Sequence, residues 1–218
     1  WRGKSLGKIE IPDYQIKWKS GRQGLKRKHV YPGFILKLSH LLVIAGFYIS
    51  EGAVIRRWKY LNGIRFYQNY GATLEIFKKI LKETNISYCI TKKEKGEEIR
   101  IYNGALAKFL VDNFGEGAFN KHIPKWIKEI DNRNLKILFE WLMNGDGHRG
   151  RHHDFYFSKS SQLLDDIQEI LLKIDLAGRI KKDIVSVIKN KNCEPRLKNK
   201  KYWKKIKYNN YVYCVEVP

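Results

Sequence analysis

The apolar residues Leu38, Leu41, Leu42, Ala45, Gly46 and Ile49 recur at i, i+3, i+4, i+7, i+8 and i+11. That spacing predicts one face of a helix ending near Glu51-Gly52. Two basic, β-rich runs follow, 54–60 and 64–68, and Asn62-Gly63 between them is a dipeptide suited to a tight hairpin turn. Leu74, Phe77, Lys78 and Leu81 predict a second helix, 86–91 and 98–102 a second hairpin, and 105–112 a further helix. Pro124 is placed to open a short helix through Ile130. Upstream of all this, residues 1–33 are rich in Gly, Lys and Arg with little periodicity and read as an extended arm or loop-rich lead-in.

The order then restarts. Leu135, Leu138, Phe139, Leu142 and Met143 form another helical stripe that runs into Gly145-Asp146-Gly147, and a basic strand is expected over 151–158. Residues 160–176 make an amphipathic helix with Leu163, Leu164, Ile167, Ile170, Leu171 and Ile174 inward, and 179–189 and 211–217 read as strands. Helix, strands, helix, strands thus occurs twice, in an α+β chain organised as an arm (1–33), a first lobe (34–134) and a second lobe (135–218). Neither lobe is large enough to bury a comfortable core by itself, so the two are expected to pack together.

Charge narrows the partner. The chain carries 43 Lys plus Arg against 22 Asp plus Glu, a formal charge of +21, which favours a polyanion such as nucleic acid over an acidic small molecule. A generally lysine-rich surface is the bland alternative. Cys89, Cys193 and Cys214 are odd in number and widely spaced, as reduced intracellular thiols would be. The longest apolar stretch, 41–49, is far below the roughly 18 residues of a membrane span, and the chain start has no signal-peptide pattern. The expectation is an intracellular protein, cytoplasmic or nucleoid-associated, without a membrane partner.

Each half opens with an apolar helix that ends in an acid followed by glycine: Ile44-Ala45-Gly46-Phe47-Tyr48-Ile49-Ser50-Glu51-Gly52 and Phe139-Glu140-Trp141-Leu142-Met143-Asn144-Gly145-Asp146-Gly147. Both nonapeptides resemble the LAGLIDADG signature of homing endonucleases, and two copies in one chain resemble its single-chain, pseudo-symmetric members. The second copy departs from the signature at Glu140 and Trp141, where alanine and glycine are usual. The resemblance covers roughly residues 38–190 and is closest to the endonuclease domains found in inteins. It implies two pseudo-symmetric αββαββα-like lobes whose antiparallel sheets form a saddle on a long duplex DNA site, acting as a monomer. It also implies a Mg²⁺- or Mn²⁺-dependent cut of both strands.

The physical logic fits. A hydrophobic helix ending in a carboxylate can be buried against its twin and still present the acid at the edge. Two such acids, Glu51 and Asp146, would repel unless a hard divalent cation lay between them, bound through oxygen. Glycine after each acid is expected to let the chain leave the helix in a left-handed conformation. The resemblance adds Gln68, at the end of the second strand, and Lys121, in Lys121-His122-Ile123-Pro124, as residues near the cleavage centre. From the residues alone, Lys121 reads as a solvated surface lysine; only the resemblance sets a catalytic role beside that reading. Residues 158–168 resemble the entry to the second-lobe helix.

The strands alternate basic with apolar or aromatic residues, so one face is expected in the core and the other on DNA. Arg56, Arg57, Lys59, Arg65, Arg100, Arg149, Arg151, His153, Lys159, Arg179, Lys181 and Lys182 are the candidate contacts. Arg149, three residues past Asp146, suits catalysis or a phosphate contact equally well. His148, His152 and His153 lack the acid-bearing spacing of a zinc hydrolase and read as phosphate or base contacts.

Residues 203–218 resemble the strand that re-enters an intein splicing domain, yet there is no terminal His-Asn pair and no initial Cys or Ser nucleophile, so self-splicing is not expected. The rival readings are a LAGLIDADG-derived RNA maturase, which would prefer structured intron RNA, and a non-cleaving DNA-binding protein.

Overall fold

A computed structural model describes residues 1–20, 25–151, 153–189, 207 and 209. The lead-in is built of strands rather than loops: β1 (Lys8–Ile11), β2 (Tyr14–Ser20) and β3 (Leu25–Tyr31), followed by β4 (Phe34–Lys37). β1 pairs antiparallel with β4, and Ile11 is fully buried, which ties the lead-in to the rest of the molecule. β2 and β3 pair with each other as a separate ribbon, from Tyr14 opposite Tyr31 to Ser20 opposite Leu25. The period-2 signal of Tyr14, Ile16 and Trp18 was present in the sequence but diluted by lysine at the intervening positions.

The first repeat follows as α1 (Leu38–Glu51), β5 (Gly52–Arg57), β6 (Tyr60–Asn69), α2 (Ala72–Glu83), β7 (Cys89–Lys92), β8 (Gly96–Ile101) and α3 (Gly104–Phe114). A short helix, α4 (Lys125–Lys128), leads to the second repeat: α5 (Asn132–Gly145), β9 (Gly147–Arg149), β10 (Asp154–Phe157), α6 (Ser161–Lys173), β11 (Ala177–Lys181) and β12 (Ile184–Ile188). The sheets are antiparallel and ordered β5-β6-β8-β7 and β9-β10-β12-β11, so the two repeats share strand order as well as element order. Asn103, Asp131 and Ser160 cap α3, α5 and α6, each accepting a backbone N–H three residues on.

Three strand boundaries differ from the sequence reading. The first hairpin turns at Trp58-Lys59, and Asn62-Gly63 lies inside β6. Glycine is required at 63 for close approach instead: a Cβ there would stand 2.2 Å from the Ile101 carbonyl oxygen. The expected strand over 151–158 is shortened to β10, and β9 before it was not expected; the Gly150 amide donates to the His153 carbonyl to close the turn between them. The expected strand over 179–189 turns at Lys182, which sits at φ 53°. The expected strand 211–217 lies outside the described residues.

One apolar core runs through both repeats. α1 shows more than one buried face: Leu41 through Ile49 are all buried, because the helix lies between β6 on one side and α5 on the other. Phe47 makes the link, stacked on Phe66 of β6 at 5.5 Å and edge-on to Trp141 of α5 at 5.8 Å. Truncating such a fully buried aromatic costs about 3–5 kcal/mol. α5 is amphipathic, with Lys136 and Glu140 outward and Leu135, Leu138, Trp141 and Leu142 inward.

Candidate active site between two helix ends

The two central helices touch through their small residues. A Cβ on Gly46 would lie 2.8 Å from the Trp141 Cβ, and one on Gly145 would lie 2.2 Å from the Ser50 Cβ. The bulky Trp141 does not hold the helices apart, because its indole turns into the cluster of Phe47 and Phe77, both at 5.8 Å. The Ser50 hydroxyl bonds back to the Gly46 carbonyl at 3.2 Å and reaches the Leu142 carbonyl at 3.4 Å. Close contact toward both ends of the crossing brings Glu51, the last residue of α1, beside Asp146, the first after α5.

Neither acid is followed by a left-handed residue. Gly52 is extended at φ −81°, ψ 137°, and its N–H caps the Tyr48 carbonyl. Packing explains both glycines: a Cβ on Gly52 would be 2.6 Å from the Tyr48 Cα, and one on Gly147 would be 2.4 Å from the Met143 carbonyl oxygen. The helix end must fold back on its own last turn, and only the absence of a side chain permits it.

Burial pushes the Glu51 carboxyl above the usual range, and the charge of Asp146 adds to the rise. Asp146 is also raised by burial, with Lys121 opposing. Lys121 is only 6% exposed; its ammonium donates to the Tyr48 carbonyl at 2.6 Å and lies 3.4 Å from the centroid of the Tyr48 ring. Burial lowers its pKa to about 7 against the attraction of Asp146 and Glu116. Tyr156 is buried next to Ser50 with its hydroxyl in no hydrogen bond of good geometry among the described residues, and burial raises its pKa strongly.

Two second-repeat residues fix the segment that carries Lys121. The Ser160 hydroxyl donates to the Lys121 carbonyl at 2.6 Å, and Asp166, 2% exposed, accepts from the Ile123 amide at 2.7 Å and the Lys128 ammonium at 2.8 Å. Beside the acids opens a cleft of about 830 Å³ whose lining includes Ser50, Glu116, Lys121, Asp146, Lys159 and Asp183. Glu116 lies outside every motif, and Tyr48, Ser160 and Asp166 lie within resembling segments that assign them no role; their contacts exist only once the repeats are packed.

Asp146 stands within electrostatic reach of both Glu51 and Lys121; Asp146 and Lys121 line the cleft, and Glu51 does not. Gln68 also does not line the cleft: β6 alternation puts it on the helix-facing side with Phe66, opposite Glu97 in β8. Arg65 and Arg100 pair across β6 and β8 on the opposite, outer face, as do Arg179 and Lys181 on β11 with Ser186 and Ile184 of β12. Arg57, Lys59, Arg151 and His153 are exposed, and Lys182 lies at the β11–β12 turn; His152 is outside the described residues. Four candidate contacts already hold a carboxylate: Arg56 with Glu116, Arg100 with Glu98, Arg149 with Glu140 and Lys159 with Asp183. The pairs of Arg56, Arg149 and Lys159 are exposed and weak, so a phosphate can replace the carboxylate there. Among the described residues no group of three or more His, Cys, Asp or Glu converges, and no helix is long and apolar enough to cross a membrane.

No protein-family profile matches the chain. A segment of 79 residues, 35% of the chain, is 32% identical to the ATP-dependent Clp protease proteolytic subunit of Chlamydomonas moewusii but spans only 8% of that protein. Among solved structures, the homing endonuclease I-DmoI in complex with DNA and Ca matches with a TM-score of 0.52 and 13% identity over 69% of this chain and 82% of that one. Mesophilic variants of I-DmoI match with a TM-score of 0.51 and 12% identity over 69% of this chain and 88% of theirs. Duplicated strand order, crossed helices and paired terminal acids thus form one architecture: over 69% of its length this chain has the LAGLIDADG fold of the homing endonuclease I-DmoI.

Proposed function

We propose that the chain is a site-specific homing endonuclease that makes a metal-dependent double-strand break in duplex DNA. The observation that carries this is the placement of Glu51 and Asp146 at adjoining helix ends, each held above its ordinary pKa by burial, with the buried Lys121 acting on Asp146. Two close carboxylates that resist ionisation suit a hard divalent cation, with Mg²⁺ or Mn²⁺ the natural choices and oxygen from water and phosphate filling the remaining positions. When bound, such a cation supplies a Lewis acid for the scissile phosphate.

The chain's own residues do the rest. Glu51 and Asp146 hold the charge balance of the site. Lys121, fixed through its backbone by Ser160 and through its ammonium by Tyr48, faces the cleft and offsets negative charge that develops on the phosphate. The outer faces of the two sheets, with Arg65, Arg100, Arg179 and Lys181, lie along the grooves as a saddle, and the two repeats in one chain suffice for both strands, so the working form is a monomer. Residues 1–33 serve as an arm, and the two repeats as lobes 34–134 and 135–218. The C-terminal resemblance of residues 203–218 favours an origin in an intein, inside a cell.

The test is cleavage of a library of long randomised and candidate insertion-site duplexes in Mg²⁺ and in EDTA, with Glu51→Gln and Asp146→Asn alongside. Discrete double-strand cuts that disappear in EDTA and in either variant are expected. Tight binding with no cutting under any condition would replace this reading with that of a non-cleaving DNA-binding protein, and preference for structured RNA with that of a maturase.

A further inference from the structure

The ribbon of β2 and β3 presents a charge arrangement that folding alone disfavours. Lys17 stands directly opposite Lys28, and Lys19 opposite Lys26, on one exposed face of a two-stranded sheet. Like charges directly opposed on a sheet are destabilising. Residues 14–31 contain Lys17, Lys19, Arg22, Lys26, Arg27 and Lys28 and no Asp or Glu. Among the described residues, the four paired lysines and Arg27 take part in no ion pair, unlike Arg56, Arg100, Arg149 and Lys159.

The ribbon is anchored rather than free. The Tyr31 hydroxyl donates to the Asn62 side chain of β6 at 2.6 Å, and the Tyr31 ring lies so close to Gly104 of α3 that a Cβ there would be 2.6 Å from it. The Tyr60 hydroxyl donates to the Lys17 carbonyl. Between the ribbon and the β5–β6 turn runs a groove of about 1320 Å³, lined by the basic residues of both strands together with Trp18, Trp58 and Lys59. Trp58, at the turn itself, is 72% exposed.

We propose that this groove and the lysine face beside it bind the phosphate backbone of duplex DNA flanking the cleavage site, as a second contact surface beyond the two sheets. The inference rests on the endonuclease reading for its position. β5 leaves the paired acids at Gly52 and reaches the turn after Arg57, so the ribbon stands on the order of 20 Å out at roughly 3.4 Å per residue. That is about six base pairs from the cut, on the first-repeat side, at about 3.4 Å of helix axis per base pair. Phosphate is the ligand that fits: the groove offers ammonium groups in a row and exposed aromatic faces, with no carboxylate in the strands to hold them.

The experiment titrates a long duplex of arbitrary sequence, by fluorescence anisotropy in EDTA over a salt series, against the full chain and two fourfold variants of equal charge. One carries Lys17→Gln, Lys19→Gln, Lys26→Gln and Lys28→Gln; the control carries Lys79→Gln, Lys82→Gln, Lys125→Gln and Lys136→Gln on exposed positions of α2, α4 and α5. Each lost phosphate contact lowers the slope of log K against log salt by about 0.9, so the ribbon variant is expected to lose roughly two to four and the control well under one. Equal slopes in the two variants overturn the proposal. So does a loss confined to an A-form RNA duplex, which would assign the ribbon to RNA. Circular dichroism confirms folding, and a fourfold Lys→Arg variant of the same positions should restore the slope. Cleavage is scored on the same preparations: an unchanged slope with intact cutting removes the ribbon alone. A fallen slope with no acid-dependent cutting removes the nuclease reading and leaves the ribbon as a DNA contact.

Discussion

Ser50 and Gly145 meet where the two central helices end, so closely that a Cβ on Gly145 would stand 2.2 Å from the Cβ of Ser50. This contact sits one residue before Glu51 and one before Asp146, and it sets how near the two acids come. Gly145→Ala should therefore overpack the crossing and cost about 1–3 kcal/mol. Ser50→Gly in the same chain should recover most of the loss. A double-mutant cycle by urea denaturation checks it; additive penalties would mean that the two residues do not share a contact.

The raised carboxyls give stability a definite pH dependence. An acid whose folded pKa is raised binds its proton more tightly in the native state, so stability falls as pH climbs from the ordinary carboxylate range through the raised values of Glu51 and Asp146. In EDTA at neutral pH, Glu51→Gln and Asp146→Asn should each melt higher than the parent, with the difference fading in acid. Thermal unfolding at the two pH values decides it. Variants that melt lower at neutral pH would show that these acids are held by favourable partners.

A cation that binds both acids adds stability only where both are present. Mg²⁺ or Mn²⁺ should raise the Tm of the parent through preferential binding to the folded state and leave Glu51→Gln and Asp146→Asn nearly unmoved. The same substitutions should slow cleavage by about 100-fold or more, the equivalent of losing several kcal/mol of phosphate charge stabilisation.

Lys121 offers a separate pH signature. Its pKa of about 7 means that the free protein loses this ammonium as pH passes neutrality. Because the folded pKa is depressed, the native state releases the proton first, and between about 7 and the ordinary lysine range this group makes stability rise with pH. If its charge faces the phosphate, kcat/KM should fall above about pH 7, and Lys121→Met should remove that limb along with most of the rate. A profile whose alkaline limb survives the substitution would transfer the titration to another group.

Asp166 reaches the site only through the backbone it holds. Asp166→Ala leaves the Ile123 amide without its acceptor while Lys128 keeps Glu169 at 2.9 Å, and should cost about 1–3 kcal/mol. Ser160→Ala removes the bond to the Lys121 carbonyl and the α6 cap, about 1 kcal/mol in stability. In that variant the alkaline limb of kcat/KM should shift while DNA affinity is kept, an outcome that a purely structural loss would not produce.

Local pattern determined much of this protein. Apolar spacing of 3.6 residues marked α5 and α6 because each buries one stripe, and α1 because its stripe is part of a helix buried on more than one face; the acid-glycine endings of 51–52 and 146–147 were visible because the two repeats carry them at the same place. Repetition also exposed a helix, strands, helix, strands order in each half, although each strand pair of the second repeat read as a single strand. What only tertiary structure decided depends on residues far apart in the chain. Gly63 looked like a turn and proved to be the point where β6 meets the Ile101 backbone; Gly52 and Gly147 looked like left-handed caps and proved to be vacancies that adjoining backbone fills. Lys121 read equally well as a solvated lysine until Tyr48 from one repeat and Ser160 from the other enclosed it. Arg56 and Arg149 read as free cations until folding gave them Glu116 and Glu140. Periodicity reports which face of an element is buried, but not against what; the partners of a charge, and the space left for a Cβ, are set when the elements pack.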